Sequence, residues 1–483
     1  MMIGKIIKIT SDIIEIQFKS SDLPSIGMLL KTNSNAILSV EVINSDTSVS
    51  AIIISSTSFV EVGQDVISTK KGIMAPVGKE VLGRIFNVLG EAIDGKPIST
   101  KQKYEEVKIN KVFEKEFNKK SVFLETGIKA IDFFIPIFEG NKVGTFGGAG
   151  VGKTLVIKEI INNISKTSQK SNSLFVGIGE RSREGEELYR ELIESKLINK
   201  VGLYFAQMNE TPGARMKLIY TAITTAEYFR DVMKEDTYMF IDNIYRYTQA
   251  GSEVSSSLGK IPSQSGYQPT LFSEISNIQE RMSNNSNGNI TSFQTVFVPA
   301  DDITDPATVA IFSHLDASLV LEREMASSGK YPAIDPLASS SNNINESTIG
   351  KRHYDAVIKT KNHLQRFVEL EDLLSVLGSE GLTEEDNIII KRARMLSNFF
   401  TQNFNTAEDF TQKKGQFIKL EDTIKSVETI LNGELDSLNP VDFLYIGTTE
   451  KLVKKVQDAL EQEKLENQNL SNKTKKYNKK RKK

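Results

Sequence analysis

The chain has 483 residues, 39% of them hydrophobic and 25% charged, with a formal net charge of -2. That length is too great for one compact core and implies about two to four domains. The near-neutral charge argues against a protein coated in nucleic acid, and the absence of cysteine excludes disulfides and thiolate metal sites.

The N-terminal stretch "MMIGKIIKITSDIIEIQF" breaks its apolar residues with Lys5, Lys8, Asp12 and Glu15, so it reads neither as a signal peptide nor as a membrane span. No later stretch has the length and purity to cross a bilayer, and a soluble cytoplasmic enzyme or assembly subunit is expected. Residues 1–75 favour strands: "KIIKITSDIIEIQF", "AILSVEVINS" and "VSAIIISS" are rich in Ile and Val, and turn formers separate them. A small β barrel is the expected fold of this segment.

From residue 76 to about 345 short apolar strands alternate with helical stretches. "KVGTF", "NSLFVGIG", "KVGLYFAQ", "TYMFID" and "QTVFVPAD" read as buried strands, with amphipathic runs such as "ARMKLIYTAITTAEYFRDVMKE" between them. This alternation predicts a largely parallel sheet with helices on both faces. Two stretches, 282–292 and 337–348, read as loops. Residues 346–464 show apolar residues near helical spacing and predict a C-terminal helical domain. The remainder, 465–483, ends in "KTKKYNKKRKK" and has no apolar stripe, so a disordered basic tail is expected.

Gly147 to Thr154 spells G-x-x-x-x-G-K-T between an apolar strand and a helix-forming run. In such a P-loop, Gly147, Gly148, Ala149, Gly150, Val151 and Gly152 would turn backbone N–H groups toward phosphates. Lys153 would reach the β and γ phosphates, and Thr154 would ligate Mg²⁺ through its hydroxyl. The plain alternative is a glycine turn before a helix. Asp242, at the end of "TYMFID", is the candidate second metal ligand, although an Asp in that place also serves as a helix cap. The exit of a further strand, "FVGIGERSREGEELYREL", supplies Glu180 as candidate base. In the same stretch Arg181 could neutralise a γ-phosphate and Glu184 could hold a water on the metal. A charge-rich turn of this kind is equally at home as solvated surface.

Taken together, "FGGAGVGKT", "GERSREGEELYREL", "QMNETPGARMKL", "FIDNIYRYTQAGSEVSSSLGKIPSQSGYQPTL", "VPADDITDPA" and "HLDASLVLERE" resemble the β subunit of F-type ATP synthases, in order and from near residue 1 to about 464. The resemblance implies a multidomain α/β chain: an N-terminal β barrel, a central P-loop (RecA-like) parallel-sheet nucleotide-binding domain and a C-terminal helical domain. It implies ATP or ADP with Mg²⁺ as ligands, and α-type partners in an alternating α₃β₃ hexamer. It further implies a γ-type central shaft contacting 380–386, and a place at the inner face of the cell membrane as part of a complex. Thr154, Glu184 and Asp242 are then the metal residues, and Glu180, Lys153, Arg181 and Arg246 the catalytic ones. Tyr331, Phe404, Ala407 and Phe410 correspond to the family's adenine pocket, although the residues alone read as helical-domain core. No nucleic-acid partner is expected.

The sequence departs from that pattern in three places. Ala338 and Asn342, in "DPLASSSN", stand where the family has an acid and an arginine, and Gly381, in "EGLTEED", replaces an acid in the shaft-contacting loop. The basic tail is the third. With a Lys, Asn and Ile bias like that of AT-rich, reduced genomes, these departures leave two readings. One is an ordinary synthase subunit coupled to a proton channel; the other is an F₁-like paralogue of the kind mycoplasmas carry, engaged with other membrane or cytoskeletal proteins, for example in gliding motility. A non-catalytic nucleotide-binding ring subunit and a Rho-type translocase are the alternatives from other classes.

Overall fold

The computed structural model describes the chain apart from residues 1, 20–21, 56–58, 110–121, 149, 168–170, 264, 300–301, 303, 378–381, 460 and 463–483, and apart from the side chains of 167, 372–377 and 409–410. Ala149, Gly381 and the basic tail therefore lie outside the described residues, as does the side chain of Phe410. The chain folds as two compact units, Met1–Leu124 with Ile137–Arg323, and Glu125–Pro136 with Glu324–Lys483.

The first unit begins with a closed barrel of β1 (Ile3–Thr10), β2 (Ile13–Phe18), β3 (Leu29–Thr32), β4 (Ile37–Ser45), β5 (Ser48–Ser55) and β6 (Asp65–Ser68), in the order β1-β2-β5-β4-β3-β6. Antiparallel pairing of Ile3 with Ile67 closes it, so neither edge is left open. Alternation puts Ile6, Ile14, Ile16, Leu38, Val40 and Val49 inside, where all are buried. The run "KIIKITSDIIEIQF" is a hairpin of two strands, reversed at Ser11, whose φ of 51° makes the tight turn.

β7 (Met74–Val77) pairs with β9 (Lys103–Glu106), while β8 (Ile85–Phe86) joins the main sheet. The rest of that sheet in this unit comprises β10 (Lys142–Phe146), β11 (Asn172–Glu180), β12 (Val201–Gln207), β13 (Thr237–Asp242), β14 (Ile290–Val296) and β15 (Ala317–Val320). Their order is β15-β10-β14-β13-β11-β12-β8, parallel throughout. Nearly every residue of β11 to β14 is buried, as a sheet covered on both faces requires.

β14 starts four residues before the expected "QTVFVPAD". Thr291 and Ser292, at the end of the expected loop 282–292, are instead in the strand, and each side chain finds a partner in the interior, Ser292 accepting from Gln294 Nε2 (2.9 Å). Thr291 accepts from Gly140 N (2.8 Å), and Gln294 exchanges hydrogen bonds with Gln279 (2.6 and 2.9 Å) and accepts no penalty for burial. β15 was not foreseen as a strand; it pairs in parallel with β10.

The helix Pro212–Asp231 is buried along most of its length, capped by Thr211, whose hydroxyl accepts from Ala214 N, and started by Pro212. It fastens the barrel to the sheet. Thr211 donates to Ile54 O (3.1 Å), Lys217 pairs with Glu41 (2.8 Å), and a Cβ on Gly213 would lie 2.6 Å from Ile53 O.

The second unit contains the helices Lys351–Leu377, Glu384–Phe399 and Leu420–Leu431 around the short helix Lys129–Phe134. Lys129 is buried there, donating to the carbonyls of Phe399 and Ile446. Thr383 and Asp386 form a capping box at the start of Glu384–Phe399. Among the described residues no helix is long and apolar enough to cross a membrane.

Candidate active site

Parallel strands deliver their C-terminal ends to one edge, and four functional segments meet at that edge. β10 runs into a loop that turns through Gly147, Gly150 and Gly152, all at positive φ, before the helix Lys153–Thr167. Gly147 is required twice over: its φ is 148°, and a Cβ there would sit 2.8 Å from Leu321 O. Lys153 Nζ donates back to Gly147 O (2.7 Å), across the concave side of the loop.

β11 ends in Glu180 and β13 in Asp242. Glu180, Glu184, Asp242 and Thr154 line one cleft of about 270 Å³, with Lys158 and Arg183 at its margins. Burial pushes the Glu180 carboxyl up to about 9, and a hydrogen bond with Glu184 and the charge of Asp242 add to the effect, against Arg246. Asp242 is raised for the same first reason, and Lys153 opposes the rise. Lys153 in turn is lowered by burial, while Asp242 and Glu180 pull it back up. The cleft thus holds crowded carboxylates in a partly dry setting, where added positive charge would be strongly favoured.

Arg246 lies on the helix Ile244–Ser257, half-buried, and donates to Gln249 (2.8 Å). Arg181 is exposed beside Glu184 at 3.8 Å, outside the residues lining the cleft. Tyr331, Phe404 and Ala407 belong to the second unit, where Gln402 N donates to Tyr331 O (2.8 Å) and where Phe404 and Ala407 are buried.

Two contributors escaped the sequence reading. Gly179, at φ 64°, lets the stem of Arg246 lie against the end of β11, and Gln207 accepts from Ser182 just after Glu180 (2.8 Å). A glycine directly before the key carboxylate was the available signal for the first; nothing in the sequence marked the second.

The donor set suits a hard divalent cation. Thr154 offers a hydroxyl, and Asp242 and Glu184 offer carboxylate oxygens in the same cleft. Among the described residues no group of three or more acids or histidines is close enough to cage a metal unaided.

Residues 127–341 match the family model described as the ATP synthase alpha/beta family, nucleotide-binding domain. The cleft lies within the residues that are similar to the ATP synthase alpha/beta nucleotide-binding domain. Residues 342–439 match a second model, the C-terminal domain of V and A type ATP synthase. The ATP synthase alpha/beta domain contains the P-loop, Glu180, Glu184, Asp242 and Arg246 within its matched residues, so a nucleotide is the ligand class of the cleft. The same match supports ATPase-type activity in general. The fold agrees throughout: barrel, parallel sheet with a P-loop, and helical C-terminal region.

Proposed function

We propose that the chain is the catalytic, β-type subunit of an F₁-like rotary ATPase, taking Mg²⁺ with ATP or ADP at α/β interfaces of an α₃β₃ hexamer. The observation that supports this most is the convergence of Lys153, Glu180, Glu184 and Asp242 at one sheet edge. A subunit that only held nucleotide would need the phosphate loop; it would have no use for a carboxyl as strongly perturbed as Glu180.

In this reading the P-loop backbone and Lys153 would hold the β and γ phosphates, and Thr154, Asp242 and Glu184 would hold the metal. Bound Mg²⁺ would supply charge neutralisation at the phosphates. Glu180 orients the attacking water and takes its proton as the water oxygen bonds to the γ-phosphorus and the bond to the β-phosphate oxygen breaks. A carboxyl held up near 9 must first lose its own proton, and positive charge entering the cleft favours that loss. Arg246 steadies charge on the phosphates. Arg181, exposed, serves where a phosphate and a partner subunit approach it. Tyr331, Phe404, Ala407 and Phe410 hold the adenine, on the family resemblance alone.

The partners are α-type subunits and a γ-type shaft that meets 380–386, with the complex peripheral at the inner face of the membrane. Thr383 and Asp386 are committed to the helix cap, so Glu384 and Glu385 are the exposed charges available to a shaft. A second reading has support of its own: the match of 342–439 to the V and A type C-terminal domain favours a V/A-like catalytic subunit. The altered Ala338, Asn342 and Gly381 positions keep a paralogue without proton coupling as the alternative to an ordinary synthase subunit.

The test is purification of the native complex in mild detergent, with identification of its chains and assay of ATP hydrolysis. F-type α and γ chains with turnover lost in Glu180→Gln support the proposal. V/A-type partners would replace its F-type assignment, and unchanged turnover in Glu180→Gln would refute catalysis by this chain.

A further inference from the structure

β11 and β12 pair in parallel register up to Ile178 with Ala206, then shift so that Glu180 stands opposite Gln207 and Gly179 is the extra residue. This is a β-bulge immediately before the key carboxylate, the place where bulges re-aim side chains. The exit turn that follows is tied back to β12 twice. Met208 N donates to Glu180 O (3.0 Å), and Ser182 Oγ donates to Gln207 Oε1 (2.8 Å).

Gln207 is itself fixed. Its N–H donates to Glu210 Oε1 (2.8 Å), and Arg215 Nε donates to Glu210 O (3.2 Å). Arg215 forms a two-pronged pair with Glu253 (2.5 and 3.3 Å), which lies on the helix Ile244–Ser257 that follows Asp242 and carries Arg246. A continuous chain of contacts therefore runs from the Glu180 exit, through Gln207, to the element bearing Asp242 and Arg246. Paired arginine and carboxylate with two bonds hold an orientation as well as a distance.

Resting on the catalytic reading above, we propose that Gln207 is a positioning residue for phosphoryl transfer, acting through Ser182. The Ser182–Gln207 bond sets the angle at which Glu180, and Glu184 on the first turn of the helix Ser182–Glu194, face the P-loop. Gln207 is not among the residues that line the cleft. Its effect is on geometry in the transition state, so it acts on kcat more than on substrate affinity.

The test uses the assembled complex with Ser182→Ala, Gln207→Leu, the double variant, Ser182→Thr and Glu180→Gln. Ser182 is exposed, so Ser182→Ala leaves the fold intact. The expected result is a fall in kcat of about tenfold for each single variant, as misplacement of a reacting group produces. KM for Mg-ATP should stay within about twofold, the double variant should be no worse than either single one, and Ser182→Thr should restore kcat. Wild-type kcat in Ser182→Ala alongside a dead Glu180→Gln would overturn the positioning role alone. Full turnover in Glu180→Gln would overturn the catalytic reading beneath it. Losses in kcat that track lowered thermal stability, without rescue by Ser182→Thr, would reduce Gln207 to a structural part and also overturn the proposal.

Discussion

Replacing Gly179 with alanine should separate the cost of the bulge from the cost of moving Arg246. At φ 64° a side chain adds roughly 1–2 kcal/mol of backbone strain, offset by about 0.4–1 kcal/mol from the stiffer unfolded chain. The new Cβ would lie 3.1, 3.2 and 3.4 Å from Arg246 Cβ, Cγ and Cδ, so the arginine stem must give by a few tenths of an ångström. The net expectation is a destabilisation of about 1 kcal/mol. A fall in turnover of about tenfold should accompany it, because Arg246 shifts relative to Glu180. Urea unfolding of Gly179→Ala, Arg246→Ala and the double variant resolves the parts. The double variant should retain the backbone cost and lose the coupling. Wild-type stability and turnover in Gly179→Ala would show that neither the bulge nor the arginine contact constrains the site.

Other expectations can be checked singly. If Thr154 is the metal's hydroxyl ligand, as proposed, Thr154→Ala should weaken Mg²⁺-dependent nucleotide binding while leaving metal-free binding within about twofold; titration with a fluorescent nucleotide reads both. Lys129→Met should destabilise the second unit by about 2–4 kcal/mol through two abandoned buried carbonyls, less the gain from removing a buried cation. Burial holds Lys129 down at about 7, below the ordinary lysine value of 10.5. The unfolded chain thus binds more protons across that window, wild-type stability rises with pH from 7 to 10.5, and Lys129→Met should flatten the rise in calorimetry. Asp132 is held up at about 7 by burial, so its contribution to stability falls as pH climbs from 3.8 to 7, and Asp132→Asn should remove that slope. Restoring the family pair with Ala338→Asp and Asn342→Arg should change stability by less than about 0.5 kcal/mol. Both positions are exposed, and the segment is already pinned by Asp335 accepting from Leu337 N (2.8 Å) and by Ser341 donating to Pro136 O (2.9 Å).

Much of the architecture was legible because burial on both faces demands continuous apolar runs, and β10 to β13 are written that way. The start of β14 was misplaced because Thr291 and Ser292 are polar yet internally satisfied, a pairing visible only once Gly140 N and Gln294 Nε2 lie beside them. At the site, the placement of Lys153 and Thr154 after β10 and of Asp242 at the end of β13 was readable from spacing and strand context. Glu180 was ambiguous as one charge among many in its turn; folding distinguishes it by burial beside Glu184 and Asp242, whereas Arg181, its neighbour in sequence, is left exposed. Gln207 is 27 residues beyond Glu180 and enters only through the parallel pairing of β11 with β12. Phe404 and Ala407 are buried, as a reading of them as helical core expects.

The central claim is that the cleft breaks the γ-phosphate bond, and single turnover of bound γ-labelled ATP in the assembled complex tests it most directly. The account predicts labelled phosphate released from the wild-type complex, with ATP retained intact in the Glu180→Gln complex at matched occupancy. Equal conversion in both, or retained ATP in both with hydrolysis traced to another chain, would contradict it.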